Sequence, residues 1–205
     1  MTIFGKKKRK MMTKKMNKDY WEDRYKSNEI GWDVGEITTP LKEYIDQIEN
    51  KELKILIPGA GNGHEFDYFI EKGFSNITVI DIAEQPLESI KKRNPEYTKN
   101  FIQDDFFNLN KTFDLVIEQT FFCALNPELR AKYVKQMHSL LEENGKIVGL
   151  FFDFPLTEAG PPFGGSKKEY LNLFSKKFNI KTLERAHNSI KPRKDKELFF
   201  IFEKK

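Results

Sequence analysis

Apolar and polar residues are arranged along this chain in blocks that predict strands and helices following one another in turn. Short apolar runs bounded by glycine, proline or polar residues indicate buried strands, and longer segments with apolar residues three and four positions apart indicate amphipathic helices. The predicted helices are 18–27, 39–49, 63–72, 84–93, 127–142 and 166–177, with Pro95 closing the fourth. The predicted strands are 53–57, 77–81, 99–102, 113–118, 145–152, 179–185 and 196–203.

The order of these elements predicts an α/β fold. Strands alternate with helices through the middle of the chain, which is typical of a doubly wound, Rossmann-like sheet whose strands are mostly parallel. The last two of the seven strands have no helix between them, so we expect an antiparallel C-terminal hairpin joined by the polar segment 188–196. The helical segment ahead of the first strand is predicted to form an N-terminal lid.

A glycine turn follows the first of these strands. Gly59, Gly61 and Gly63 let the backbone turn sharply and approach a ligand closely, and Asp81 stands where the next strand ends. A carboxylate at that point can accept hydrogen bonds from two ribose hydroxyls. The G-x-G-x-G spacing lacks the form expected for a pyrophosphate, so S-adenosylmethionine fits better than a dinucleotide. The alternative is an ordinary turn whose glycines serve backbone geometry alone.

Composition and charge narrow the function classes. Of 35 basic residues, seven lie in 1–15, which holds no acid, so the remaining 28 bases face 31 acids and the body is mildly acidic. We therefore expect a disordered basic tail at 1–15, a single domain at 16–205, and no specific nucleic-acid partner. No signal-like or membrane-spanning apolar run is evident, and Cys123 is the only cysteine, so a cytoplasmic location is expected. We also expect a monomer with a small-molecule substrate.

Two further segments follow predicted strands at the edge where ligands bind in such sheets. Asp105 and Phe106 follow the third strand, where a carboxylate could accept from an adenine amino group and a ring could cover its face; a polar turn with core aromatics is the alternative. Gln119 directly follows the fourth predicted strand and is our candidate near the methyl acceptor. Cys123 has no acid-base partner nearby, and the three histidines lack metal-ligand spacing, so no metal is expected.

Aromatic residues and a stiff loop complete the candidates. Trp21, Tyr25 and Trp32 precede the first strand and either anchor the core or form a lid whose aromatic faces attract a sulfonium cation. The loop Gly160-Pro161-Pro162-Phe163 follows the fifth strand and either shapes a substrate pocket or simply connects to a helix that Ser166 caps. The predicted substrate pocket comprises Trp32, Phe154, Pro162 and Phe163.

In this order, the segments resemble the thiopurine S-methyltransferase-like family of class I methyltransferases, especially its halide/thiol methyltransferase branch. The resemblance spans about residues 17–203. It is carried by the segments Tyr20–Tyr25 with Trp32, Ile57–Glu65, Asp104–Phe107, Phe121–Leu125 with Pro127 and Arg130, and Gly160–Phe163. The glycine turn alone is weak evidence, whereas Phe-Phe-Cys-Ala and Gly-Pro-Pro-Phe together are far more specific.

The resemblance implies S-adenosylmethionine as methyl donor, S-adenosylhomocysteine as product, and direct in-line transfer to a thiol, bisulfide, halide or thiopurine-like acceptor. The residues that it implies for the methyl donor are Trp21, Tyr25, Trp32, Gly59, Asp81, Asp105, Phe106 and Gln119, to which the turn adds Gly61. The branch often has tryptophan where Tyr25 stands and tyrosine where Gln119 stands, which leaves the acceptor open. The alternatives are a methyltransferase of another small-molecule class, a regulatory module that docks through its basic tail, and a nicotinamide-dependent oxidoreductase, which the turn spacing disfavours.

Overall fold

The computed structural model of this protein describes residues 16–205. The basic tail, predicted to be a disordered extension, lies outside the described residues. Six α-helices are present in the described part: α1 Lys18–Lys26, α2 Thr39–Asp46, α3 His64–Glu71, α4 Glu84–Arg93, α5 Arg130–Leu140 and α6 Lys167–Phe174. Seven strands form the sheet: β1 Ile55–Pro58, β2 Ile77–Asp81, β3 Phe101–Gln103, β4 Phe113–Gln119, β5 Leu141–Phe152, β6 Phe178–Arg185 and β7 Glu197–Lys204.

The sheet has the strand order β3-β2-β1-β4-β5-β7-β6. The pairs from β3 to β5 are parallel, and β7 runs antiparallel to both β5 and β6. The strand order reverses between β1 and β4, which is the switch point where doubly wound sheets bind ligands. The predicted Rossmann-like fold with its C-terminal antiparallel hairpin is confirmed.

The core lies on both faces of the sheet. All four residues of β1 are buried, because a central parallel strand is covered on either side. Its side chains alternate between the two faces: Leu56 packs with residues of α5 and α6, whereas Ile55 and Ile57 pack with residues of α2, α3 and α4. Each face therefore has its own apolar cluster, and the strand ends are left free to carry polar side chains.

Several element ends differ from the sequence prediction. The predicted helix 127–142 begins as a short 3-10 turn at Pro127–Leu129, and α5 ends at Leu140, so that β5 begins at Leu141 rather than at 145. Leu140 and Leu141 are both buried, and this apolar pair continues the helical spacing, so periodicity gives no stop signal there. Helix α2 ends at Asp46 and α6 at Phe174, each three residues earlier than predicted.

The candidate site lies at the carboxyl edge of the parallel strands. The ends of β1, β2, β4 and β5 meet there, as in other doubly wound sheets. Because β7 is antiparallel, its first residue Glu197 pairs with Phe152 at the end of β5, which brings the preceding turn Lys191–Arg193 to the same edge. Within residues 16–205, no helix is long and apolar enough to cross a membrane.

Candidate functional site

The glycine turn after β1 has the backbone conformation that glycine favours. Gly59 has φ +78°, and a Cβ there would lie 2.8 Å from Cδ2 of Phe121. Gly63 has φ +81°, and a Cβ there would lie 2.6 Å from Cγ1 of Ile90. Gly61 has φ +52° with no atom within 4 Å of the Cβ position, so its surface is open to a ligand.

Asp81 ends β2 beside this turn, as the spacing predicted. Its Oδ2 accepts a hydrogen bond from the backbone N–H of Ala60 at 2.7 Å, and its Oδ1 accepts from that of Ala83 at 2.8 Å. An ionised carboxylate has about four acceptor positions, so each oxygen keeps one for a ligand hydroxyl. Burial raises the pKa of Asp81 to about 6, against the effect of these hydrogen bonds.

One of the N-terminal aromatic side chains, Tyr25, lies near this acid, and Trp32 and Trp21 pack beyond it. The Trp32 ring makes edge contacts with Trp21 at 5.7 Å and with Tyr25 at 5.6 Å between centroids. Burial raises the pKa of the Tyr25 hydroxyl, and the nearby carboxylates of Asp81 and Asp33 raise it further. These three aromatic residues therefore form one cluster, and Tyr25 brings it to Asp81.

Helix α1 is held over the start of α4. Oε1 of Glu22 accepts a hydrogen bond from the backbone N–H of Glu84, the first residue of α4, at 2.6 Å. A carboxylate is favoured there because the first N–H groups of a helix have no partner within the helix. This contact places α1, the helix of the predicted N-terminal lid, beside the end of β2.

Sequence reasoning missed a carboxylate that joins the N-terminal segment to the glycine turn. Oδ1 of Asp33 lies 2.7 Å from Nε2 of His64, and its Oδ2 accepts from Nδ2 of Asn62 at 2.5 Å. The backbone N–H of Gly35 also donates to Oδ1, at 3.1 Å. Burial raises the pKa of Asp33, but these three hydrogen bonds outweigh it and hold the pKa below its usual value.

Gln119 has one end of its amide paired and the other end buried without a partner. The hydroxyl of Thr38, a buried residue at the start of α2, donates to Oε1 of Gln119 at 2.9 Å. The amide nitrogen Nε2 has no hydrogen-bond partner within the described residues. An unsatisfied buried donor is uncommon in folded proteins and points to a missing acceptor.

Glu118, the residue before Gln119, is buried and holds the chain after β4. Its carboxylate accepts from the backbone N–H groups of Phe121 at 2.9 Å and Phe122 at 3.0 Å and from the Tyr133 hydroxyl at 2.8 Å. Burial raises its pKa to about 7. Thr120, between Gln119 and Phe121, has φ +61°, which is a strained conformation for a β-branched residue. The hydrogen bonds of Glu118 to the next two residues stabilise this turn.

Asp105 and Phe106 follow β3, as predicted, but one side chain is exposed and the other is buried. Asp105 is exposed, and its carboxylate accepts from the backbone N–H of Phe107 at 2.9 Å. Phe106 is buried with its ring centroid 5.2 Å from that of Phe121, the ring that lies over Gly59. Phe106 thus supports the wall of the glycine turn, and Asp105 keeps acceptor positions at the rim.

The Gly-Pro-Pro-Phe loop docks onto the turn after β4. The backbone N–H of Phe163 donates to the carbonyl of Cys123 at 2.7 Å, and the Phe163 side chain is buried. Nη2 of Arg130 donates to the carbonyl of Gly164 at 2.7 Å. Pro162 is exposed. The Phe-Phe-Cys-Ala and Gly-Pro-Pro-Phe segments, which are the most specific parts of the resemblance, therefore pack together.

Phe154 and the helix cap after this loop also have defined positions. Phe154 is half-buried, and its ring centroid lies 5.1 Å from that of Phe152 at the end of β5. The Ser166 hydroxyl accepts from the backbone N–H of Glu169 at 3.3 Å, so Ser166 caps α6, as one of the two interpretations of this loop predicted.

Arg193 is a second side chain that sequence reasoning missed. It is buried, its Nη2 donates to the backbone carbonyl of Trp32 at 2.6 Å, and its Nη1 lies 3.5 Å from Oε1 of the buried Glu197. That distance is long for a hydrogen bond, and Nη1 has no hydrogen-bond partner among the described residues. Its guanidinium centre also lies 5.9 Å from the centroid of the Phe152 ring.

Cys123 is not an activated nucleophile in this site. The thiol is buried, its Sγ donates to the carbonyl of Thr120 at 3.2 Å, and burial raises its pKa well above the usual value. Among residues 16–205, no group of three or more histidine, cysteine, aspartate or glutamate side chains could hold a metal ion.

The fold and the site together define a Rossmann-like S-adenosylmethionine-dependent methyltransferase: a glycine turn after β1, an acid at the end of β2 and a seven-stranded sheet with its antiparallel strand β7. A family model described as Thiopurine S-methyltransferase (TPMT) matches residues 16–205. The chain belongs to this family and is an enzyme that uses S-adenosylmethionine. A nicotinamide-dependent oxidoreductase and a non-enzymatic regulatory module are thereby set aside.

Two relatives show the range of named acceptors. Thiocyanate methyltransferase 1 of Brassica oleracea is 28% identical over 184 residues, covering 86% of this chain and 81% of the relative. Thiopurine S-methyltransferase of Nitrosospira multiformis is 28% identical over 191 residues, covering 82% and 86%.

A solved structure supports the fold. The 1,6-didemethyltoxoflavin-N1-methyltransferase of Burkholderia thailandensis, crystallised with S-adenosylhomocysteine, has a TM-score of 0.71 at 19% identity, covering 91% of this chain and 85% of that one. At this identity the similarity concerns the fold alone.

Proposed function

We propose that this enzyme transfers the methyl group to a small, soft, anionic nucleophile such as a thiolate, bisulfide, a halide or a thiopurine-like thiolate. One observation carries the proposal: at the carboxyl edge of the sheet, the buried donor Nε2 of Gln119 has no hydrogen-bond partner among the described residues, and Nη1 of the buried Arg193 has only the long ion-pair contact with Glu197 at 3.5 Å. Leaving such a donor unpaired costs about 1–3 kcal/mol, more for a charged group. An anion in the acceptor pocket would satisfy both donors without having to donate a proton itself.

The residues at this edge also fit the methyl donor. Asp81 keeps one acceptor position on each oxygen for the ribose hydroxyls, and Gly61 leaves the turn open for the amino-acid end. Aromatic faces favour a cation such as the sulfonium, which supplies the electrophilic methyl group. The proposed binding residues are Trp21, Tyr25, Trp32, Gly59, Gly61, Asp81, Asp105, Phe106 and Gln119.

We further propose in-line displacement without a general base. A soft anion arrives already deprotonated, so that the protein has only to align it and exclude water. The titratable groups nearest Gln119 in sequence, Glu118 and Cys123, are buried and already hydrogen-bonded, which supports a mechanism without a general base. Half-buried Phe154, Trp32 and the Gly-Pro-Pro-Phe loop would form the apolar walls of the acceptor pocket. The thiocyanate, thiol and thiopurine acceptors in the names of relatives support the same class.

The pH dependence of acceptor use tests this proposal. We expect kcat/KM for thiols to rise with pH along the ionisation of each thiol, and kcat/KM for iodide to show no such rise, with S-adenosylhomocysteine formation as the readout. Amines and alcohols of similar size should give no turnover. A rate that follows one enzyme group for every thiol, or preferred turnover of an amine, would contradict the mechanism.

Replacement of Arg193 tests its part in acceptor binding. We expect Arg193→Gln to raise the KM of anionic acceptors at least about tenfold, because a charge-assisted hydrogen bond is lost. The matched control is Arg185→Gln, since Arg185 is an exposed arginine at the end of the neighbouring strand β6 and pairs with Asp153. Equal KM values in the two variants would remove Arg193 from the acceptor site.

A further inference from the structure

Asp33 follows Trp32 in the chain, and its side chain contacts the glycine turn. Its two oxygens contact Asn62, which lies within the turn, and His64, the first residue of α3. These partners are 29 and 31 residues away in sequence. One carboxylate therefore joins two segments that are otherwise separate parts of the proposed methyl-donor site.

The contact continues beyond Asn62. The backbone carbonyl of Asn62 accepts from Nη2 of Arg93 at 2.6 Å, and the same Arg93 nitrogen lies 2.9 Å from Oδ2 of Asp67. The turn is thus held from the α4 side by Arg93 and from the N-terminal side by Asp33. Of these two contacts, the Asp33 contact is the one that comes from the segment carrying Trp32.

We propose that Asp33 is a positioning residue that holds Trp32 and Tyr25 against the glycine turn, so that the two sides of the methyl-donor site form together. Asp33 does not itself contact the donor in this proposal. The inference rests on the proposed binding role of Trp32 and Tyr25. It makes no use of the acceptor, and it can therefore fail or hold independently of the acceptor class.

The chain offers a specific optical readout for this role. Its only two tryptophans are Trp21 and Trp32, and their rings are in edge contact. Tryptophan emission therefore reports on this segment and not on the rest of the fold. Release of the segment from the turn should expose the indoles to water and shift the emission to longer wavelength.

The experiment compares Asp33→Asn with Asp46→Asn, each measured by calorimetric titration with S-adenosylhomocysteine and by tryptophan emission. Asp46 is a matched control, because its carboxylate likewise has three partners, here the side chains of Lys42, Lys72 and Tyr68, but joins α2 to α3 away from the aromatic segment. We expect Asp33→Asn to weaken binding at least about tenfold and to shift the free-enzyme emission to the red, with saturating ligand restoring the wild-type spectrum. Asp46→Asn should change affinity less than twofold and leave the emission unchanged.

Equal affinity of Asp33→Asn and wild type, equal weakening in both variants, or unchanged emission in Asp33→Asn would each overturn the proposal. If Asp33→Asn does not fold, His64→Gln serves instead, because it removes the imidazole that contacts Oδ1 of Asp33 and puts a shorter amide donor in its place. We then expect a threefold or greater loss of affinity with the same red shift. Wild-type affinity and emission in His64→Gln would overturn the proposal in that case.

Discussion

Replacing Asp81 by alanine tests the proposed methyl-donor site at the acid that ends β2. Each carboxylate oxygen already accepts one backbone N–H, at 2.7 and 2.8 Å, and retains one acceptor position for a ribose hydroxyl. A hydrogen bond to a charged group contributes about 1.5–3 kcal/mol. Water can enter the space that the side chain leaves, so we expect the loss to be at least about 1.5 kcal/mol, which is more than about tenfold in Kd.

Calorimetric titration with S-adenosylhomocysteine measures this effect directly. Asp81→Asn is the isosteric companion, because it keeps the shape and replaces one acceptor by a donor that faces a backbone N–H. We expect it to bind at least as poorly as Asp81→Ala. Wild-type affinity in the alanine variant would refute the reasoning and remove Asp81 from the site.

The pH dependence of the same titration gives a second test of Asp81. Burial raises its pKa to about 6, so the free protein protonates this carboxyl as the pH falls through 6. A ligand that needs the ionised acceptor then loses affinity by up to about tenfold for each pH unit below 6. Asp81→Asn should lack this dependence, and a wild-type affinity that stays constant from pH 7 to pH 5 would contradict the assignment.

Two further predictions concern stability, measured by urea denaturation. Gly59→Ala should lower the free energy of unfolding by about 2 kcal/mol or more, because φ is +78° and the new Cβ meets the Phe121 ring. Gly61→Ala should lower it by only about 1 kcal/mol, because Gly61 also has a positive φ but its Cβ position is open. Equal losses in the two variants would argue against the ring contact. Burial raises the pKa of Glu118 to about 7, so the folded state holds a proton that the unfolded state has released between about pH 4.5 and 7. Stability from this group is therefore complete below that window and falls as the pH rises through it, by up to about 3 kcal/mol, and Glu118→Gln should remove the decline. An identical pH profile in that variant would contradict the burial of an ionisable Glu118.

Much of the fold and part of the site could be predicted from local sequence. The positions of Gly59 in a turn and of Asp81 at a strand end were predicted correctly, because both are set by the geometry of a strand-helix-strand unit. The start of β5 was predicted wrongly, because Leu140 and Leu141 extend the helical apolar spacing past the true end of α5.

The missed residues are those whose partners are distant in sequence. Arg193 contacts Trp32 across 161 positions, and it stands in a polar connector where an arginine gives no signal of burial. Asp33 is likewise one acid among many until the fold brings Asn62 and His64 to it. Only the antiparallel placement of β7 and the docking of the N-terminal segment bring these side chains to the carboxyl edge.

Methyl transfer from labelled S-adenosylmethionine to iodide, bisulfide and a set of thiols, followed by headspace and thioether analysis by mass spectrometry, tests the central claim most directly. The account predicts label in a volatile methyl halide, in methanethiol or in a thioether, at a rate that falls when Arg193 or Asp81 is replaced. S-adenosylhomocysteine affinity in the wild-type enzyme together with no labelled product from any of these acceptors would contradict it.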